Sequence, residues 1–386
     1  MRSPDAAHFV IDPSLIFLNH GSFGACPRRI LERQAELRGD WERDPLGFFE
    51  SLAERIDAAR LEAAALVGAD PAGFVFVRNA TAGVNAVLQS FPLRPGDAVL
   101  TTDHAYAACK NALDHWAGRS GAEVIVAHVP FPLTHEDEVV AAIEAAVTPR
   151  VRLALIDHVT SPTGLVLPIE RIVRSLEGRG VAVLVDGAHA PGMVPLAIDA
   201  LAPSFYTGNF HKWICAPKGA AMLWARQDRR AMLHPTSISH GLTARTWRGP
   251  LHDEFDWTGT DDPSPWLLVG ESARTMAAMA GSLGELMRSN RELALEARRI
   301  LTTKLGIAPP APESMIATLV ALPLGPAAGG GADRDRLYEA LFARNFRVPV
   351  MPWPGPHDRV LRISAQRYND ASQYEALADA VIALRV

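Results

Sequence analysis

Cysteine is scarce in this 386-residue chain: Cys26, Cys109 and Cys215 lie far apart, with no Cys-x-x-Cys pair and no histidine pair beside them. That spacing argues against a disulfide framework or a zinc site, and no metal is expected. Free cysteines of this kind read as small packing residues. Long apolar runs are also missing, and no window approaches the length that spans a bilayer. Residues 1–14 contain nothing resembling a signal peptide, so a soluble cytoplasmic protein is expected. Charge of one sign is lacking too: 38 Lys and Arg against 43 Asp and Glu leave a net charge of -5. Such a balance gives no reason to expect nucleic acid or an anionic membrane as partner. There is no internal repeat. What remains is a chain 48% hydrophobic, long enough for a large domain and a smaller one.

The middle of the chain alternates two patterns. Short β-branched runs at Phe74–Val77, Ala98–Leu100, Glu123–Val129, Leu153–Ile156 and Ala182–Val185 read as strands. Amphipathic stretches at Ala80–Ser90, Ala105–Trp116, Glu136–Val147 and Ile169–Leu176 read as helices between them. Continuous apolar strands separated by helices predict a mostly parallel sheet buried on both faces. Residues Asp228–Pro265 are rich in His, Thr, Trp, Gly and Asp without periodicity, and so long an irregular segment points to function. A helix from about Trp266 to Leu305 is predicted next. The tail reads as strand Ala317–Leu322, helix Arg334–Arg344, strand Val360–Ile363 and helix Gln373–Leu384, an α+β unit. The run Gly325–Gly331 reads as a flexible loop. The expected organisation is an arm over residues 1–25, a large domain over 26–270 and a small domain over 271–386.

Three stretches carry chemistry. In Gly208-Asn209-Phe210-His211-Lys212-Trp213, a lysine sits in an apolar, glycine-bearing turn after a strand. A lysine is ordinarily a surface residue, but a desolvated one has a lowered pKa and attacks carbonyls. In Leu184-Val185-Asp186-Gly187-Ala188-His189, an aspartate ends a buried strand 26 residues before that lysine. Alone it reads as a helix cap or a structural carboxylate. With the lysine downstream it fits a carboxylate that keeps a pyridine nitrogen protonated. In Arg78-Asn79-Ala80-Thr81-Ala82-Gly83, a strand gives way to a helix, which suits either an ordinary N-cap or a phosphate site.

Together these blocks resemble the aminotransferase class V enzymes of pyridoxal-phosphate (PLP) fold type I, and within them the isopenicillin N epimerase-like branch. Further matches are Phe17–Gly24, Asp157–Gly164, Trp257–Thr260 and Arg362–Gln366, in the family's order. The resemblance implies a mostly parallel central sheet flanked by helices, with a smaller α+β C-terminal domain. It implies PLP held as a Schiff base on Lys212, with Asp186 at the pyridine nitrogen and His189 and Ser161 near the phenolic oxygen. Thr81, Ala82, Asn209 and His211 would hold the phosphate. An aromatic ring stacked on the cofactor would come from His104 or Tyr106. Arg362 would grip the substrate carboxylate, with Asn19 and His20 of the arm bordering the substrate. Thr260 would reach the phosphate of a neighbouring subunit in a homodimer with shared active sites. The family often has a basic residue after that threonine, where this chain has Asp261 and Asp262.

The resemblance leaves the reaction open. Desulfurases need a mobile cysteine before the carboxylate-binding arginine, and residues 347–359 contain none. Prolines flank Trp353 there, which predicts a stiff pocket wall. Epimerisation needs a second acid/base opposite Lys212, for which His104 and Tyr106 are the residues available. Elimination needs only Lys212 and a leaving group. A carbon–sulfur lyase of an S-substituted cysteine therefore ranks ahead of an epimerase, with an aminotransferase, oxidative deaminase or decarboxylase behind. An inactive relative serving as a binding module is the alternative of another class; the intact set Asp186, His189, Lys212 and Arg362 argues against it.

Overall fold

A computed structural model describes residues 3–244, 246–326, 335–355 and 357–384. Twelve strands are present among them. They are β1 (Ile16–Phe17), β2 (Phe74–Val77), β3 (Ala98–Thr102), β4 (Glu123–Ala127), β5 (Val151–Asp157) and β6 (Ala182–Gly187), then β7 (Phe205–Asn209), β8 (Ala221–Ala225), β9 (Leu319–Pro326), β10 (Phe346–Arg347), β11 (Val350–Pro352) and β12 (Asp358–Ser364). Seven form the central sheet, in the order β2-β8-β7-β6-β5-β3-β4. Its pairings are parallel from β4 through β7, and β8 runs antiparallel to both β7 and β2.

The sheet is buried on both faces because successive side chains alternate between two apolar layers. Val183 and Val185 join one layer, with Ile143, Ile172 and Leu176 of helices Asp137–Ala145 and Ile169–Gly178. Ala182 and Leu184 join the other, with Val84, Val87 and Leu113 of helices Ala80–Ser90 and Ala107–Ser120. This alternation is why the predicted strands carry no polar face.

The C-terminal part is a three-stranded antiparallel sheet, β11-β12-β9. The N-terminal arm is stitched to this part. Strand β1 pairs with β10, and the Ser364 N–H donates to the Leu18 carbonyl at 2.9 Å. That stitch brings residues 19–24 alongside the end of β12.

Some expectations shift. The helix predicted from Trp266 to Leu305 is three helices, Ser264–Leu267, Val269–Ala280 and Leu283–Leu305. The last break has a local cause: Gly281 has φ +94°, and the Ser282 side chain caps the next helix by accepting from the Glu285 N–H at 3.0 Å. Strand β9 runs on to Pro326, so Gly325 of the expected loop is strand; residues 327–331 of that run lie outside the described residues. Strand β8 and the helices Arg28–Arg43 and Pro45–Val67 had not been anticipated.

Candidate active site

Parallel strands present a crevice at their carboxyl ends, and here β5, β6 and β7 end on Asp157, Asp186-Gly187 and Asn209. A cavity of about 410 Å³ opens over them. Lys212, Asp186, His189, Thr81, Tyr106, Ser161, Asn209 and His211, all expected from the sequence, line it together.

Lys212 follows β7 in a tight turn. Burial, reinforced by the Arg362 charge, lowers its amine pKa to about 8. Its Nζ lies 3.2 Å from His189 Nε2, and Trp213 Nε1 donates to His189 Nδ1 at 3.4 Å. With Nδ1 accepting, a neutral imidazole carries its proton on Nε2. Burial holds the imidazole pKa well below its usual value. A neutral His189 can therefore donate to the Lys212 lone pair once the amine has lost its proton.

Asp186 is buried, and both its oxygens have donors: the Ala188 N–H on Oδ1 at 2.9 Å and the Cys109 thiol on Oδ2 at 3.2 Å. Asp157, its register partner on β5, accepts from the Tyr106 main-chain N–H. Burial and the neighbouring Asp186 push the Asp157 carboxyl well above the ordinary range.

The helix Ala80–Ser90 aims its first turn at the cavity. Asn209 Oδ1 accepts from the Ala80 N–H and Asn79 Oδ1 accepts from the Ala82 N–H, both at 2.8 Å. Thr81 lines the cavity between them, whereas Ala82 does not. The expected phosphate contact through Ala82 is therefore replaced by an N-cap, because Asn79 has the extended backbone that capping requires.

Arg362, on β12, does not itself line the cavity but bonds two residues that do, Ser161 and Ser22. Its Nη1 donates to the carbonyl and hydroxyl oxygens of Ser161, and its Nη2 donates to Asn19 Oδ1 at 3.3 Å and Ser22 Oγ at 3.1 Å. Burial lowers its pKa to about 10, which leaves it charged at neutral pH.

Three other expected residues lie elsewhere. His104 is fully buried behind the site: its ring nitrogens meet Thr163 Oγ1 at 2.7 Å and the Val129 carbonyl at 3.0 Å, and Trp353 packs edge-on at 4.6 Å. It can neither stack on a ring in the cavity nor exchange a proton there, whereas Tyr106 borders the cavity and is 45% exposed. The Trp353 segment packs behind the site rather than walling the cavity, and Pro356 lies outside the described residues. His20 is buried with both nitrogens engaged, Nδ1 to Tyr368 Oη and Nε2 to the Lys212 carbonyl, so it borders no substrate. Thr260 is exposed and away from this cavity. The acidic pair after it is neutralised locally, Asp261 by Arg78 and Asp262 by Arg38.

Seven cavity residues carry no role expected from the sequence: Ser22, Phe23, Asn79, Ala80, Cys109, Asp157 and Ala188. A signal existed for Asp157, which ends the strand beside Asp186, and for Cys109, three residues beyond Tyr106 at the start of a helix. Both signals needed the strand register to be read.

The donor set fits PLP. A desolvated amine suits the aldehyde, a buried carboxylate suits the pyridine nitrogen, and a helix start with Thr81 suits the phosphate.

The aminotransferase class-V model matches residues 29–307. Isopenicillin N epimerase from Streptomyces clavuligerus is 34% identical over 97% of this chain and 96% of that protein. A probable chloroplastic L-cysteine desulfhydrase of Arabidopsis thaliana is 31% identical over 96% of this chain and 83% of that protein. A solved cystine C–S lyase, in complex with its product cysteine persulfide, shares the fold with a TM-score of 0.80 at 21% identity, covering 95% of this chain and 97% of that one.

Proposed function

The chain belongs to the aminotransferase class-V family, and from that premise we propose that it is a carbon–sulfur lyase that eliminates the sulfur substituent from an S-substituted cysteine. The fold is PLP fold type I and the cofactor is pyridoxal 5'-phosphate. When bound, the protonated cofactor ring supplies an electron sink for the charge left at Cα. The rest falls to this chain's own side chains.

Lys212 would hold the cofactor's aldehyde until substrate replaces it, and its released amine then takes the Cα proton. A pKa near 8 makes this amine a usable base close to neutral pH. His189 keeps the amine aimed, and Asp186 would hold a proton at the cofactor's ring nitrogen. Arg362 offers a planar fork to the substrate carboxylate. As the Cα proton leaves, the Cβ–S bond breaks, and its electron pair goes to sulfur, which takes up a proton. Water then gives an α-keto acid and ammonia.

The observation that carries this reading is that, of the two candidates for a second acid/base opposite Lys212, Tyr106 alone borders the cavity. His104, half of the alternative for a second acid/base, is sealed behind Thr163 and Val129. The name of the plant desulfhydrase relative supports sulfur chemistry. Transfer of sulfur to a protein thiol is disfavoured, since residues 347–359 hold no cysteine and Cys109, the cysteine that lines the cavity, donates to Asp186 with its thiol pushed far up by burial. Epimerisation is the second reading, favoured by the 34% identity to an epimerase, and it would need Tyr106 as the opposing acid. We also place the enzyme in a homodimer, with Thr260 serving the partner's phosphate site.

S-methyl-L-cysteine and L-norvaline, each incubated with the holoenzyme in deuterated water, separate the two readings. A lyase releases methanethiol, ammonia and pyruvate from the first and exchanges Cα hydrogen of the second with retained configuration. Racemised norvaline with no keto acid from the cysteine would make the enzyme an epimerase.

A further inference from the structure

We infer that His20 is a positioning residue for Lys212, bracing the main chain that carries the catalytic amine. The turn after β7 needs an external brace. The Lys212 carbonyl already accepts from the Cys215 N–H at 3.0 Å, and Cys215 stands at φ +57°. That left-handed backbone is unfavourable for a residue with a side chain, by about 1 kcal/mol. A turn holding such a residue persists only when its surroundings determine it.

The arm supplies those surroundings through Gly24 and His20. Gly24, at φ +70°, presses so close that a Cβ there would lie 1.9 Å from the His211 carbonyl oxygen and 3.1 Å from the Lys212 Cα. His20 Nε2 sits 2.9 Å from the Lys212 carbonyl oxygen. A carbonyl only accepts, so Nε2 carries the proton, and the Gln366 amide nitrogen 3.3 Å from the same atom donates instead to the Cys215 sulfur at 3.7 Å. Burial draws the imidazole pKa down to about 3, so the ring is neutral and its Nδ1 is an acceptor. The Tyr368 hydroxyl lies 2.7 Å from that nitrogen and donates to it. Tyr368 therefore selects the tautomer that lets His20 hold the lysine turn. The His20 ring also packs at 4.8 Å on Trp213, the indole that fixes His189. One imidazole thus steadies the turn that carries Lys212 and, through Trp213, the histidine that aims its amine.

The inference rests on Lys212 being the residue that captures PLP, so borohydride mapping of the wild-type linkage comes first and fails or succeeds independently. The test then measures capture of PLP by apoenzyme, followed by visible absorbance, and Cα–H exchange of S-methyl-L-cysteine by the holoenzyme. His20→Ala should slow both at least tenfold while the KM for that amino acid moves less than threefold. His20→Gln places an N–H near the Nε2 position and should recover most of both rates. Tyr368→Phe keeps the packing but releases the tautomer, and should slow capture several-fold. Wild-type capture rates in His20→Ala, a glutamine variant no faster than the alanine one, or a tenfold rise in KM with unchanged exchange would each overturn the assignment. If His20→Ala does not fold, the glutamine and Tyr368→Phe variants decide it by the same capture rates.

Discussion

Cys109 Sγ lies 3.2 Å from Asp186 Oδ2 and donates to it, while Asp186 Oδ1 accepts from the Ala188 N–H. The carboxylate proposed to meet the cofactor's ring nitrogen is thus satisfied on both oxygens by the protein itself. Burial, with Asp186 beside it, pushes the Cys109 thiol far up, so it remains a donor throughout the working pH range. Cys109→Ala leaves a buried acceptor short of one partner, at a cost of about 1 kcal/mol. The cofactor's ring nitrogen offers a donor to the same carboxylate. The substitution should therefore lower apoenzyme stability by roughly 1 kcal/mol more than holoenzyme stability. Urea unfolding of both forms measures this; equal losses would mean that the thiol only fills space.

The lowered pKa of Lys212 sets a pH dependence. Only the neutral amine has the lone pair that captures an aldehyde, and its fraction grows as pH rises through the pKa. PLP capture by apoenzyme should therefore accelerate with pH, reach half its maximum near pH 8 and level off above it. A lysine in open water would keep accelerating to roughly pH 10.4. Stopped-flow absorbance between pH 6 and 10 distinguishes the two curves.

Arg362→Lys retains the charge but loses the fork that engages Ser161, Asn19 and Ser22. The loss of one charge-assisted contact, about 2 kcal/mol, should raise substrate KM roughly 30-fold. PLP affinity should fall much less than that, because among the residues expected at the cofactor the guanidinium contacts Ser161 but none assigned to the phosphate or the ring nitrogen. Equal damage to both would make Arg362 a structural residue.

Thr260 is exposed in a single chain, yet Asp261 and Asp262 beside it are anchored by Arg78 and Arg38. The anchored segment leaves Thr260 exposed. Sedimentation should give a dimer, and Thr260→Ala should weaken PLP binding by about 1 kcal/mol, a several-fold effect. A fully active monomer would remove the shared site; a dimer with unchanged affinity would remove only the threonine.

Much of the central sheet was legible because buried parallel strands carry continuous apolar runs, as Ala182–Val185 does. The helix break at Gly281-Ser282 was missed although both residues are ordinary stop and start signals, since the periodicity around them looked continuous. Site residues next to a strand end or helix start, such as Asp186, Lys212 and Thr81, were found from local pattern. His104 and His20 were misplaced for one reason. A histidine near a motif looks the same in sequence whether its nitrogens face a cavity or, as here, Thr163 and Tyr368. The arm's contact with Lys212 joins residues nearly two hundred positions apart, and no local pattern encodes it.

The most direct measurement on the central claim is the site of cofactor attachment. Holoenzyme is reduced with sodium borohydride, digested and mapped by mass spectrometry, with Lys212→Ala as the control. Lys218, six residues on, is the competing amine, although its Nζ donates to the Gly24 carbonyl at 3.2 Å and it lies outside the cavity. The structure predicts one modified peptide, carrying reduced PLP on Lys212, and neither label nor turnover in Lys212→Ala. Label on Lys218, or an alanine variant that still turns over, would contradict the account.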